Sequence, residues 1–327
     1  MVRSAKQATS IAEEYEALTK GAALVERSAV GRLRFGGKDA LDLLNRLSTN
    51  QLLDLTPGQG RPTVLTSNKG RIIDLLTVFR LEGHLLVFTS AEARQKVAEY
   101  IDFYIFSEDL GMKDVTGETA MLSVTGPVAA EVLRGASIEA QGMAPYSALP
   151  ASVDGDEVLV LRSDFLGAPG YDLAVPSEVV ATLRERLREA GATFAGADAL
   201  EAVRIERGVP AYGNELGEEY NPHEAGLLPF VSFTKGCYVG QEVVTRLNTY
   251  DKVQRRLAGL RWRSERLPEK GAAISVDGDA VGAVTSSARH PATGAGLGLG
   301  YVKKSVAPEA VVVIEAEGGP IQAGLVE

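Results

Sequence analysis

The densest cluster of reactive residue types is the octapeptide KGCYVGQE at residues 235–242. It contains the only cysteine of the chain, Cys237, with Lys235 two positions before it. A nearby ammonium group stabilises a thiolate, which is the nucleophilic and metal-binding form of cysteine. The alternative is a structural turn around a buried, unreactive cysteine, since free cysteine is among the most buried residue types.

A second polar pair, Arg204 and Glu206, stands at the end of an apolar helical segment that stops at Gly208. Residues two positions apart on a helix do not share a face, so at most one of the pair points into a given pocket. A carboxylate here could accept the paired N–H donors of a pterin or guanine ring. The other interpretation is a solvated helix end or a structural ion pair.

A single acid, Asp74, interrupts an apolar run that follows a turn at Gly70. It lies either on the solvent face of a strand or inside the protein with a partner. Burying a carboxylate costs free energy unless the group is paired, so a buried Asp74 would indicate a function.

Composition and charge exclude several classes of function. The 327 residues carry a net charge of −9, which disfavours a general nucleic-acid-binding protein. One cysteine excludes an intrachain disulfide, and three widely separated histidines give no zinc motif, so no metal site is predicted. The sequence contains no run of 18 apolar residues, so no membrane-spanning helix is predicted. The N-terminus has no apolar signal core, and we expect a cytoplasmic protein.

Helix and strand signals mix over the first two-thirds of the chain and then give way to strands and turns. Serines are predicted to cap three helices: Ser10, in a capping box with Glu13, then Ser90 and Ser177. Hairpin turns are predicted at Glu82-Gly83, Asp154-Gly155 and Asp277-Gly278. The glycine-rich run 294–300 lacks the context of a dinucleotide-binding loop. The predicted boundary before an all-β barrel or sandwich lies near residues 240 to 255.

Three segments together carry a family resemblance: the octapeptide, RIERGVPAYGNEL at 204–216 and NPHEAGL at 221–227. They resemble the folate-binding YgfZ-type proteins, which are relatives of the glycine-cleavage T-protein, an aminomethyltransferase. The resemblance covers nearly the whole chain. It implies an α+β fold of three units around a central channel, with two interleaved α+β subdomains at 1–240 and a small C-terminal β-barrel at 241–327. It also implies that tetrahydrofolate binds in the channel.

The resemblance also implies roles for individual residues. Asp74 fits the acidic position of the T-protein, where Leu75 replaces a second acid. The GYTGE-like turn of the T-protein reads LGAPGYD at 166–172, without the glutamate. Both departures weaken the case for one-carbon transfer. The predicted catalytic residues are Cys237 and Asp74, and the predicted cofactor-binding residues are Glu206, Lys235, Tyr238 and Arg204.

The function predicted on these grounds is a tetrahydrofolate-binding accessory protein that supports the assembly or repair of iron–sulfur clusters. Its partners would be iron–sulfur assembly proteins or client enzymes. One cysteine cannot hold a four-thiolate cluster alone, which favours a helper over a cluster carrier. Two alternatives stay open: a folate-dependent aminomethyltransferase or demethylase, and a scaffold that has lost folate binding.

Overall fold

Residues 9–250 and 252–326 are described by the computed structural model, in which helices and strands mix before a final run of strands. In chain order the first elements are α1 (Ile11–Lys20), β1 (Ala23–Glu26), β2 (Gly31–Gly36), α2 (Ala40–Leu47), β3 (Gln59–Thr66), β4 (Ile72–Leu81), β5 (His84–Thr89), α3 (Arg94–Asp102), β6 (Gly111–Asp114), β7 (Thr119–Thr125), α4 (Ala129–Gly135), β8 (Ala148–Val153), β9 (Asp156–Ser163), β10 (Gly170–Pro176), α5 (Val180–Glu189), β11 (Thr193–Phe194), α6 (Ala197–Glu206), a 3-10 helix (Leu228–Phe230) and α7 (Gln241–Thr249). The final strands are β12 (Arg255–Trp262), β13 (Ala273–Val276), β14 (Asp279–Arg289), β15 (Gly296–Lys303), β16 (Val311–Ile314) and β17 (Ile321–Val326).

The strands form two open sheets and one closed barrel. The first sheet has the order β11-β1-β7-β10-β9-β8, the second has the order β3-β4-β5-β2-β6, and the barrel runs β12-β15-β14-β13-β16-β17. The chain contributes β1 to the first sheet, builds the whole second sheet and then returns to the first. The two α+β subdomains are therefore interleaved, which confirms the expected α+β fold with a C-terminal barrel. The boundary between 1–240 and 241–327 stays a prediction.

Several local sequence signals are confirmed. The Ser10 hydroxyl accepts the Glu13 N–H, and the Glu13 carboxylate accepts the Ser10 N–H at 2.7 Å, as a capping box requires. The predicted hairpin turns join β4 to β5, β8 to β9 and β13 to β14.

The two other predicted serine caps are wrong. Helix α3 begins after Ala93 and helix α5 begins after Val179, and neither has a side-chain cap. In both places a hydrogen-bonded turn precedes the helix: the Ala93 N–H donates to the Ser90 carbonyl, and the Val179 N–H donates to the Pro176 carbonyl. Each serine therefore stands too early in the chain to reach the free N–H groups of the first helical turn.

The glycine-rich run near the C-terminus is a barrel strand. A Cβ atom added at Gly296, the first residue of β15, would collide with the Trp262 ring of the neighbouring strand. The Trp262 ring packs over the bare backbone and donates its Nε1–H to the Arg266 carbonyl at 2.9 Å. The run serves packing inside the barrel, in agreement with its lack of a phosphate-binding context.

Within the described part of the chain, no helix is long and apolar enough to cross a membrane. Over the same residues, no group of three or more His, Cys, Asp or Glu side chains could hold a metal ion.

Candidate functional site

A cavity of about 870 Å³ lies where the two sheets and the barrel meet. This volume is in the range of about 300–1,000 Å³ that is usual for small-molecule sites. The walls are mostly apolar, and they also contain three arginines, Arg27, Arg204 and Arg207, and three acids, Glu92, Asp164 and Asp172. The second sheet contributes Leu75, Thr77, Phe79 and Phe88, the first sheet contributes Ser163 and Asp172, and the barrel contributes Leu257, Gly259 and Val326.

Asp74 lies in β4 and is fully buried. Its Oδ1 accepts hydrogen bonds from the Ser90 hydroxyl at 2.7 Å and the Leu75 N–H at 2.9 Å, and its Oδ2 accepts the Ser90 N–H at 2.8 Å. Burial raises the pKa of Asp74 to about 6, although the hydrogen bonds favour the charged form. The carboxyl group therefore changes protonation state close to neutral pH, as a general acid or base does.

Ser90 connects Asp74 to the cavity. Ser90 and Leu75 line the cavity, whereas Asp74 lies behind them. A proton that moves between the cavity and the Asp74 carboxylate can pass through the Ser90 hydroxyl, which bonds to Oδ1. The sequence gives no signal for this role of Ser90, because a serine ahead of a helix predicts a helix N-cap.

Lys235 anchors the octapeptide to the end of α2. Its Nζ donates to the backbone carbonyls of Asn45 at 2.6 Å, Ser48 at 2.8 Å and Asn50 at 2.7 Å. Burial lowers the pKa of Lys235 to about 8, while the three carbonyls match the three N–H bonds of the ammonium form and hold its proton. The positive charge of Lys235 is thus committed to the backbone that surrounds it.

The octapeptide also packs against the turn that leads into β4. Gly240 has a φ of +86°, and a Cβ there would lie 2.5 Å from the Ser67 carbonyl oxygen, so this position requires glycine. The Val239 carbonyl accepts the Thr66 hydroxyl at 2.7 Å, and the Val239 N–H donates to the Arg46 carbonyl at 3.0 Å. The octapeptide and the turn at Gly70 that leads into β4 are therefore in contact.

Cys237 and Tyr238, which are adjacent in the octapeptide, have opposite environments. Cys237 is exposed, which excludes the interpretation as a buried, unreactive cysteine. Tyr238 is buried, with Lys235 Nζ 5.4 Å from the centre of its ring, and burial raises the pKa of Tyr238 to about 12. Neither Cys237 nor Tyr238 is among the described residues that line the cavity. The thiol lies on an outer surface of the protein.

Arg204 reaches the cavity, but its guanidinium group is committed to a buried network. Its Nη1 donates to Glu215 at 3.1 Å and its Nη2 to the Ser286 hydroxyl at 2.7 Å, while Nε donates to Glu201 at 2.6 Å. Glu215 is fully buried and also accepts the Ser286 hydroxyl at 2.7 Å. Since Ser286 lies in β14, this network joins α6 to the barrel.

Glu206 lies apart from the cavity-lining residues, at the other side of the end of α6. Its carboxylate accepts the Tyr15 hydroxyl at 2.6 Å and pairs with Arg261 at 3.4 Å and His290 at 3.7 Å. Burial, together with this carboxylate, raises the pKa of Tyr15 to about 12. A pterin-binding role for Glu206 stays a prediction.

The cavity wall also contains an ion pair that sequence reasoning missed. Arg27 donates to Asp172 Oδ1 at 2.7 Å, and its guanidinium carbon lies 3.7 Å from the centre of the Phe165 ring. Asp172 is fully buried and accepts a further hydrogen bond from Ser123. No periodicity or spacing relates Arg27 to Asp172, because they are 145 positions apart.

The structure distributes the predicted site residues over three places and does not gather them into one site. Asp74 and Arg204 lie at or behind the cavity wall, Lys235, Cys237 and Tyr238 belong to the octapeptide, and Glu206 lies beside α1 and the barrel.

Two family models match the chain and leave only a short interval between them. The GCVT N-terminal domain matches residues 3–235, and the glycine cleavage T-protein C-terminal barrel domain matches residues 255–327. The chain belongs to the glycine cleavage T-protein family. The fold expected for that family is the one described above. Tetrahydrofolate is the cofactor of the T-protein family, as the resemblance implied.

Curated relatives support the same family. The chain is 33% identical to a putative chloroplastic transferase of Arabidopsis thaliana over 298 residues, which are 90% of this chain and 68% of the relative. It is 31% identical to an aminomethyltransferase of Caldanaerobacter subterraneus over 314 residues, 92% of this chain and 82% of the relative. The crystal structure of glycine cleavage system aminomethyltransferase T from Bartonella henselae superposes with a TM-score of 0.88 and 22% identity, covering 97% of this chain and 88% of that chain.

Proposed function

We propose that the central cavity binds a tetrahydrofolate and that the protein carries out folate-dependent one-carbon transfer. The observation that carries this proposal is Asp74, a buried acid with a pKa of about 6 that is connected to the cavity by Ser90. Relatives named aminomethyltransferase support it, and they favour this alternative over the accessory role expected from the sequence.

The cavity fits a folate by size and by its apolar walls. They include Phe79 and Phe88, which suit an aromatic ring, and Arg207, which lines the cavity, suits the acidic tail. Tetrahydrofolate supplies the nitrogen atoms that take up the one-carbon unit. Asp74 exchanges a proton with the cavity through the Ser90 hydroxyl, and the full burial of its carboxylate keeps it from bulk water.

A turnover assay with purified protein tests this role of Asp74. The assay measures methylenetetrahydrofolate formed from an aminomethylated carrier protein or a methylated amine. We expect Asp74→Asn to lower kcat by about 100-fold or more, because it removes the proton-exchanging group, and to change the Kd for tetrahydrofolate by less than about threefold.

The matched control is Asp164→Asn, which neutralises another acid that lines the cavity, pairs with Arg162 and should leave turnover unchanged. Wild-type protein that binds tetrahydrofolate but shows no turnover with either donor would contradict the transfer reaction and leave the binding proposal standing.

A second candidate is the accessory role in iron–sulfur cluster assembly or repair that is typical of YgfZ-type proteins. The exposed thiol of Cys237 favours it, because the octapeptide anchors fix the backbone around the thiol and leave the thiol itself accessible. The replacement of an acid by Leu75 supports this reading as well. Its partners would be assembly proteins or client enzymes in the cytoplasm.

A deletion strain of the source organism tests the accessory role. Activities of its iron–sulfur enzymes are compared after complementation with wild-type protein, Cys237→Ala and Asp74→Asn. The accessory role predicts that Cys237→Ala fails to restore these activities and that Asp74→Asn restores them. Full rescue by Cys237→Ala would overturn it.

The scaffold alternative predicts no folate binding at all. Calorimetric titration of wild-type protein with tetrahydrofolate decides this point, since a null titration would exclude both candidate functions that use the cavity.

A further inference from the structure

A second cavity, of about 730 Å³, lies on the outer face of the barrel. Strands β12, β14 and β15 form most of its wall. Val302 packs into the barrel core, so its neighbours Tyr301 and Lys303 face outward to the cavity. No residue that the structure describes lines both this cavity and the central one. The second cavity is therefore a separate site, and its volume is also usual for a small-molecule ligand.

The charge of this lining is opposite to that of the protein as a whole. Four of the described lining residues are basic and one is acidic: Arg255, Lys270, Lys303 and Lys304, against Glu219. The whole chain has a net charge of −9. A cleft in which one sign of charge is concentrated attracts ligands of the opposite sign. The lining therefore favours an anionic ligand.

Lys303 keeps its positive charge inside this wall. Arg255 lies directly opposite it in the antiparallel pair of β12 and β15, a position in which like charges destabilise a sheet. Glu224 neutralises the Arg255 guanidinium, with an Nε–carboxylate distance of 2.9 Å. Lys303 Nζ instead donates to the Ala280 carbonyl at 2.9 Å, and Lys270 likewise donates to two uncharged oxygen atoms. Both ammonium groups can therefore neutralise an anionic ligand.

The wall also holds a buried hydroxyl group that lacks a partner. Thr285 lines the cavity and is 5% exposed, and its Oγ1 has no hydrogen-bond partner among the described residues. The register of β14 shifts between Val284 and Ser286, so Thr285 is the extra residue of a β-bulge, a feature that often redirects a side chain at a functional site. Lys270 is close by, because the Gly271 N–H donates to the Val284 carbonyl at 2.8 Å. Buried polar atoms are almost always paired, so the hydroxyl indicates a partner supplied by a ligand.

Thr285 and Lys303 belong to opposite ends of the cavity. Gly282 pairs with Val302, so Lys303 lies level with the residue before Gly282, four positions from Thr285 along β14. At about 3.3 Å per residue, the two ends are about 13 Å apart along the backbone. Because the long Lys303 side chain spans part of this distance, a ligand the length of a sugar phosphate can contact both ends.

We propose that the second cavity binds a sugar phosphate, that is, a small metabolite with one phosphate group and several hydroxyl groups. Lys303 pairs with the phosphate. The Thr285 hydroxyl, turned by rotation about the Cα–Cβ bond, forms a hydrogen bond with a hydroxyl group at the other end of the ligand. A phosphate group carries a charge of about −1.5 to −2 near neutral pH, so it suits a lining with several cations better than a carboxylate does. This site is independent of the folate binding proposed for the central cavity.

Calorimetric titration at constant ionic strength tests the site with two probes, inorganic phosphate and ribose 5-phosphate. We expect the wild-type protein to bind ribose 5-phosphate about fivefold more tightly than phosphate, as for one added hydrogen bond. Lys303→Met should weaken the binding of both probes by about tenfold or more, because it removes a charged partner of the phosphate. Lys113→Met is the matched control, since Lys113 pairs with Glu118 outside the cavity and should change neither titration.

Thr285→Val, which replaces the hydroxyl with a methyl group of similar size, tests the other end of the site. The preference for ribose 5-phosphate should fall to less than about twofold, while phosphate binding stays unchanged. Because the hydroxyl has no partner in the free protein, the melting temperature should fall by no more than about 1 °C. A structural hydroxyl would instead lower the melting temperature and leave the preference intact.

The outcomes separate the two ends of the site from each other and from folate binding. Wild-type protein that binds neither probe, or Lys303→Met protein that binds both as the wild type does, would overturn the phosphate site. Equal binding of the two probes by the wild type, or a Thr285→Val variant that retains the full preference, would overturn the role of Thr285. Titration with tetrahydrofolate decides the proposed function separately, since the two cavities share no described lining residue.

Discussion

The cavity edge at Asp74 and the octapeptide at Cys237 show opposite relations between sequence signal and environment. Asp74 is an inconspicuous acid in an apolar strand, yet it is fully buried and has a raised pKa of about 6. The octapeptide is the most conspicuous motif, yet Lys235 and Gly240 anchor its backbone and the thiol of Cys237 is exposed to solvent. Much of what makes the octapeptide conspicuous is thus explained by packing. The reactivity of the Asp74 carboxyl group comes from its burial, which a sequence motif does not reveal.

Replacing Lys235 tests the packing side of this comparison and should have the largest effect. Lys235→Met leaves three backbone carbonyls without their donor, so we expect the free energy of unfolding to fall by about 4 kcal/mol. Urea denaturation followed by circular dichroism measures it. Lys20→Met is the matched control, since Lys20 forms only an exposed ion pair with Glu16 and should change stability by at most about 0.5 kcal/mol. A loss as small as the control's would show that Lys235 is not an anchor.

The pH dependence of stability tests the burial of Asp74. Its pKa is about 6 in the folded protein and near 3.8 when unfolded, so the folded state binds the proton more tightly. This contribution is fully present below about pH 3 and is lost as the pH rises through 6. Its full size is about 3 kcal/mol. We expect the free energy of unfolding of the wild type minus that of Asp74→Asn to fall by about 2 kcal/mol between pH 4 and pH 7.5, because the unfolded carboxyl is already partly ionised at pH 4. A flat difference would mean that Asp74 titrates normally.

The predictions for the exposed thiol of Cys237 involve the smallest changes in stability and in reaction rate. Because the thiol is exposed, iodoacetamide should alkylate it in the native protein at a rate within about tenfold of the rate in denaturant. Cys237→Ser should change the free energy of unfolding by less than about 0.5 kcal/mol. Protection of the native thiol by 100-fold or more would contradict the exposed position and remove the contrast with Asp74.

Features that depend on near neighbours in the chain could be predicted from the sequence. The capping box at Ser10 and the hairpin turn at Glu82-Gly83 are set by residues within a few positions of one another, and both are confirmed. The overall architecture was accessible through the family resemblance. Ser90 shows where prediction from near neighbours fails, because its hydroxyl donates to the Asp74 carboxylate, 16 positions away, and does not cap the helix that follows it.

The candidate site was less predictable because its partners are distant in sequence. Arg204 is committed to Glu215 and to Ser286, which is 82 positions away, and its hydrogen-bonding partners become known only when α6 meets the barrel. The pair of Arg27, which follows β1, and Asp172 in β10 likewise forms only when both strands pair with β7. An individual charged residue in a sequence does not show whether its charge is neutralised by such a partner.

The interleaved order of the two sheets also sets an order of events while the ribosome makes the chain. The second sheet is continuous in sequence from Gly31 to Asp114, so it can assemble as soon as that segment has left the exit tunnel. Strand β1 pairs with β7, in which Leu122–Thr125 lie about 100 residues downstream, and with Thr193 of β11 later still. At roughly 5–20 residues per second, β1 waits about 5–20 seconds for its first partner. During synthesis, β1 therefore stays unpaired beside a subdomain that is already folded.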